Sequence, residues 1–177
     1  MNKEIYIAAY HQSKFGKLMD MAVPEIVSRA VHEVCGAIMV EPRVLRPSGA
    51  YIAMNRAYQM AGVTARDVNF AEIHDCFTVM GALGTEVLGK ADYGRGARYW
   101  VEGKARRDGE CGINTSGGLI AKGHPIGGTG VAMVGWCSWQ LLGKAPSELQ
   151  VLNPWVAATF NIGGPICASV CTVLKRP

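Results

Sequence analysis

Two histidines and one cysteine stand out by what surrounds them. His124 lies inside the run Gly117–Gly130 (GGLIAKGHPIGGTG), between Gly123 and Pro125. A neutral imidazole there can take a proton from a thiol or donate one to an oxyanion. Gly127, Gly128 and Gly130 lead into a helix start, where backbone amides can face developing negative charge. The run matches neither the phosphate loop G-x-x-x-x-G-K-[ST] nor a dinucleotide fingerprint after a strand. The second group is His74-Asp75-Cys76-Phe77, at the end of an expected strand, where open α/β sheets place ligands. Two positions apart on a strand, His74 and Cys76 point the same way, and together they offer a hydrogen-bond donor and a thiol that can shuttle a proton. A buried cysteine beside a solvent-facing histidine is the plainer reading of the same letters. A third stretch, Asn161–Pro165 (NIGGP), reads as the turn between two final strands.

Around these residues the sequence predicts alternating elements. Glu4–Tyr10 suits a buried strand, and Pro24–Val34 a helix with Ile26, Val27, Ala30, Val31 and Val34 on one face. Glu41–Ser48, with two prolines, is the best boundary and divides the chain into segments 1–40 and 41–177. Ala50–Ala61 reads as a helix stopped by Gly62, Asn69–His74 as a strand, and Thr78–Leu88 as a helix stopped by Gly89. Lys90–Gly112 reads as a loop or loose hairpin. Gly130–Leu142 is apolar nearly all round and predicts a buried or interface helix. Trp155–Phe160 and Ile166–Leu174 complete a mixed sheet in an α/β layered fold. Ser28–Gly36 faintly echoes Asn55–Gly62.

The bulk composition narrows the function. The 177 residues carry a net charge of +4, are 49% hydrophobic and have no basic stripe interleaved with aromatics, which argues against nucleic acid as partner. No apolar run is long enough to span a membrane. The six cysteines include no C-x-x-C, and no leader-like segment opens the chain, so free thiols in a cytoplasmic protein are expected. Cys167 and Cys171 share a strand face by parity, but two thiols alone complete no zinc site, and no metal is expected.

Taken together, these blocks resemble the thiolase superfamily. Asn114–Gly130 (NTSGGLIAKGHPIGGTG) resembles its late glycine-rich block with Gly-His-Pro. His74–Phe77 resembles the His-Asp-Cys-Phe block of the sterol-carrier-protein-type thiolases and archaeal acetyl-CoA acetyltransferases. Asn161, Gly163 and Gly164 resemble the terminal hairpin. The resemblance runs from Arg46 to Pro177, and Ser13–Lys17 resembles the family's extreme N-terminus.

The resemblance implies a layered thiolase-like fold, a mixed sheet with helices on both faces, as one half of the usual duplicated pair. It implies reversible Claisen chemistry on a coenzyme A thioester, a substrate rather than a covalently bound cofactor. His124 would activate a nucleophilic cysteine and share an oxyanion hole. His74 would hold a second oxyanion site through water, and Cys76 would move the α-proton. Gly123, Pro125, Asn161 and Gly163 would shape the oxyanion loop, and Ser116, Gly117 and Gly118 would contact substrate. The family's Ala-Cys-x-Ser nucleophile block is not found, nor is its coenzyme A-binding loop. The neighbours of Cys35 do not form the nucleophile block, and Cys35 reads as a structural thiol. The expectation is therefore an acyltransferase that is impaired or dependent on a partner, as a homo-oligomer or within a thiolase complex. Two other readings stand beside it: a non-catalytic acyl-CoA-binding or assembly module, with Trp136 and Trp139 at the interface, and a thiolase-like aldolase.

Overall fold

A computed structural model describes residues 48–164 and 168–176, which fall within one compact unit. The expected strand Glu4–Tyr10, the helix Pro24–Val34 and Cys35 lie outside the described residues, as does Cys167.

The elements run α1 (Ser48–Ala61), a 3-10 turn (Ala65–Asp67), β1 (Phe70–Ile73), α2 (Thr78–Val87), α3 (Gly96–Val101), β2 (Gly112–Ile113), α4 (Gly118–Lys122), α5 (Thr129–Leu141), β3 (Val156–Gly163) and β4 (Ala168–Lys175). The sheet order is β2-β1-β3-β4. β1 is parallel to β2 and β3, and β4 closes an antiparallel hairpin with β3. This is the expected mixed sheet, layered by helices on both faces.

Strand parity decides what each face carries. Ala71 and Ile73 of β1, with Val156, Ala158 and Phe160 of β3, join Ala50, Met54 and Tyr58 of α1 in the larger core. Phe70 and Ala157 point the other way and pack with Cys137 and Leu141 of α5. Glu72 and His74, in step with Phe70, therefore lie on the α5 side, as do Thr159 and Asn161 in step with Ala157.

Two expectations need correction. Lys90–Gly112 is not simply a loop: it contains α3 and begins β2. The buried Glu86 carboxylate accepts the Gly96 N–H at 2.9 Å, and the Trp100 indole donates to Thr85 Oγ1 at 2.9 Å, so α2 organises α3 from a distance. Asn161–Gly163 is not turn but the end of β3, paired with β4 as far as Gly163↔Ala168. α5, expected as a buried or interface helix, buries Met133, Cys137 and Leu141 and leaves Val131 and Trp139 exposed. Among the described residues no helix is long and apolar enough to cross a membrane.

Candidate active site

Parallel β1 and β3 bring their carboxyl-end residues side by side, and the site forms there. His74 directly follows β1, donates its backbone N–H to the Phe160 carbonyl at 2.9 Å and is 4% exposed. Its Nδ1 lies 2.6 Å from Asn161 Oδ1. That oxygen can only accept, so Nδ1 carries the proton and Nε2 is the nitrogen left for other partners.

His124 reaches the same place from a different element. Its loop follows α4, and its side chain is exposed. Its Nδ1 lies 2.7 Å from Thr129 Oγ1, whose own proton is donated to the Pro125 carbonyl at 3.1 Å. Thr129 therefore accepts from Nδ1–H, and His124 too keeps Nε2 for chemistry. The two rings meet edge to face with centroids 4.8 Å apart.

Both rings line a cavity of about 1200 Å³. His74, Cys76, His124, Asn161 and Gly163 all line it. Phe77, Ile126, Val131 and Val170 add an apolar rim and are strongly exposed. Gly130 belongs to this wall for steric reasons: a Cβ there would sit 2.7 Å from Asn161 Nδ2, displacing the amide that holds His74. Of the described cysteines, Cys76 alone lines the cavity and is half-buried. Burial pushes the thiols of Cys111 and Cys171 up to about 12, and that of Cys137 higher, with the Glu72 carboxylate adding to the rise. Those three thiols stay protonated and inert at neutral pH.

Ser116, Gly117 and Gly118, expected against substrate, are not among the cavity-lining residues. Ser116 is instead occupied with Glu72 and Lys122. Gly118 makes the turn into α4 at φ +62°, with its Cα so close to Asp75 that a Cβ would overlap the carboxylate. That approach lets Asp75 Oδ1 accept the Leu119 N–H at 2.7 Å. Gly123 and Pro125 flank His124, and the Pro125 carbonyl accepts from the N–H groups of Gly128 and Thr129 at 3.0 Å each, folding the loop onto the start of α5.

Three supporting residues were not singled out from sequence. Asn114, in the left-handed region at φ 54°, accepts the Ile73 N–H through Oδ1 at 2.7 Å and donates Nδ2 to the Ile73 carbonyl at 3.0 Å. Its amide thus extends the two-residue β2 by one further rung toward His74. The residue type is the only available signal, because Asn tolerates that backbone region. Glu72 and Lys122 join across the same seam, and nothing in the local letters marks them. Burial drives the Glu72 carboxyl above its ordinary range, against the opposing pull of Lys122 and Ser116.

Comparison with known proteins places the chain in a family. The family described as thiolase C-terminal domain-like matches residues 35–176. An acetyl-CoA acetyltransferase of Methanothermobacter thermautotrophicus is 38% identical over 138 residues, which cover 77% of this chain and 36% of that protein. Human sterol carrier protein 2 is 40% identical over 111 residues, 63% of this chain and 20% of that protein. The chain therefore spans about a third or less of these relatives. A chain of the Ltp2-ChsH2(DUF35) aldolase shares the fold with a TM-score of 0.58 over 70% of this chain and 30% of its own, at 19% identity.

Proposed function

This chain belongs to the thiolase C-terminal domain-like family, and on that footing we propose that its cavity is the acid–base and oxyanion part of an acyl-transfer centre for coenzyme A thioesters. The observation that carries the reading is the convergence of His74, His124, Cys76 and Asn161 on one cavity, with the two imidazoles 4.8 Å apart. Claisen chemistry requires a base at the α-carbon and donors for the oxygen that takes up charge. Cys76, as thiolate, removes the α-proton, and the resulting enolate oxygen is held by protons presented at the two histidine Nε2 positions. At His124 that proton is one taken from a thiol or from solvent. At His74 it belongs to a water hydrogen-bonded to Nε2. The enolate carbon attacks an acyl group carried on a second thiol, a C–C bond forms, and that thiolate leaves. Thiolysis runs the same steps backwards.

The nucleophilic thiolate comes, in this reading, from outside the described residues, through dependence on a partner chain. Two features support this. The cavity exceeds the ~300–1,000 Å³ of a typical small-molecule pocket, and its rim of Phe77, Ile126, Val131 and Val170 is apolar and exposed among the described residues. The same rim favours the second reading, an assembly module that binds without catalysis.

Proton exchange separates the two without needing the nucleophile. The full chain is incubated with acetyl-CoA in D₂O, and deuterium at the acetyl α-carbon is followed by mass spectrometry. The acyl-transfer reading predicts incorporation that disappears in Cys76→Ala. Absence of exchange from folded protein with acetyl-CoA bound overturns it in favour of the assembly module. Intact-mass analysis of the same mixture locates any acetylated cysteine.

A further inference from the structure

We propose that Glu72, Ser116 and Lys122 form a clamp, anchored on the buried Glu72 carboxylate, that sets the separation of the two cavity histidines. It builds on the acyl-transfer reading by assigning positioning residues to that site. Glu72 stands two residues before His74, and Lys122 stands two residues before His124. The Lys122 ammonium donates to Glu72 Oε2 at 3.1 Å. The Ser116 hydroxyl sits between them, donating to Glu72 Oε2 and accepting from Lys122 Nζ, each at 2.5 Å. The Ser116 backbone N–H donates to Glu72 Oε1 at 3.2 Å. Both carboxylate oxygens are thus engaged by the segment that carries His124.

This tie works beside the Asp75–Leu119 bond, on the side of the site that no strand registers. His74 is placed by backbone pairing to β3 and by Asn161. His124 follows a five-residue helix and an exposed loop, and so has no sheet to register it. The Glu72 side chain is 1% exposed and that of Lys122 26%, so solvent reaches the pair only from the lysine side. A hydrolytic serine–lysine site is the competing use of these groups. None of the three lines the cavity, and the serine proton is already donated to a carboxylate. The arrangement therefore orients the histidines and does not itself attack.

Histidine-ring NMR on the ¹⁵N-labelled full chain tests the clamp. In the wild type, His74 and His124 should both show the Nδ1–H form and a cross-peak between their rings. Lys122→Met should lose the cross-peak and mix the His124 tautomers while leaving the His74 pattern unchanged. Lys122→Arg, which restores a cation able to reach Glu72, should recover both signals. Should Lys122→Met unfold by circular dichroism, Ser116→Ala is read instead: it keeps both charges, and it should also lose the cross-peak. Wild-type ring signals in folded Lys122→Met, or in Ser116→Ala, overturn the proposal. The readout needs no turnover. Loss of the cross-peak in a chain that never exchanges α-protons upholds the clamp and removes the acyl-transfer reading. Exchange-active protein with unchanged ring signals does the reverse.

Discussion

The two halves of the cavity are built by opposite means. His74 is 4% exposed and continues a strand whose neighbouring residues form the main core. His124 stands in an exposed loop between a short helix and α5. The first is placed by folding itself, the second by a few side chains reaching across a seam: Asp75 to Leu119, Glu72 to Lys122, Thr129 to the ring. Stability and chemistry should therefore separate on the His124 side and remain joined on the His74 side.

Replacing each histidine with alanine gives the strongest contrast. Both changes remove an oxyanion contact, and each should slow α-proton exchange by about 10²- to 10³-fold. Their stabilities should differ. His124→Ala alters an exposed position and should stay within about 0.5 kcal/mol of wild type in urea unfolding. His74→Ala leaves Asn161 Oδ1 without its donor in a part-buried site and should cost a further ~1–3 kcal/mol. Equal destabilisation by the two would show that the loop is as much part of the folded core as the strand end, and the contrast would fall.

The seam between the halves should itself be pH-sensitive. Burial raises the Glu72 carboxyl, and the charge facing it is the Lys122 ammonium; the Cys137 thiol on α5 stays neutral. A carboxyl whose folded pKa is raised above its unfolded value stabilises the fold fully below the unfolded value, and loses that contribution as pH rises through the folded one. Lys122→Met removes the cation that restrains the rise, so the folded value climbs further. The variant should match wild type at about pH 4, where Glu72 is neutral, and fall behind by about 2 kcal/mol at about pH 8. That is less than the ~3–5 kcal/mol for breaking a wholly buried pair, because the Lys122 side chain keeps 26% exposure. Urea midpoints at the two pH values decide it: a penalty independent of pH would mean that lost packing, not an uncompensated charge, is responsible.

The same division explains what the letters could reveal. The strand side was legible: Asn69–His74 was expected as a strand and Phe70–Ile73 is one, and His74 and Cys76 do share a cavity wall. The helix stops at Gly62 and Gly89 were legible too, since both adopt positive φ. The glycine-rich run could be marked as a site from its composition, but α4 inside it could not. Its N-terminal amide is held by Asp75, 44 positions earlier, and no window of local sequence contains that partner. α3 was missed for the same reason, because Glu86 and Thr85 of α2 organise it. Ser116 was marked for substrate from its block, yet its hydroxyl meets Glu72 and Lys122, whose pairing spans 50 positions. Local period and turn chemistry describe elements; the ties between distant elements are what their letters do not carry.

The smallest effect is expected where the loop side depends on a single contact. Thr129 is buried and nearly isosteric with valine, so Thr129→Val removes a hydroxyl without opening a cavity. The Pro125 carbonyl keeps its two backbone donors, Gly128 and Thr129 N–H, and stability should scarcely change. The Nδ1–H of His124, however, loses its acceptor. A net hydrogen bond of about 1 kcal/mol no longer favours that tautomer, so Nε2 carries the proton in a larger share of molecules and is a base in fewer. The rate of any step in which His124 accepts a thiol proton should fall about fivefold, and Thr129→Ser should restore it. A Thr129→Val protein with unchanged rate and an unchanged His124 ring spectrum would show that the tautomer is set by another group, and that the loop histidine is held as firmly as the one on the strand.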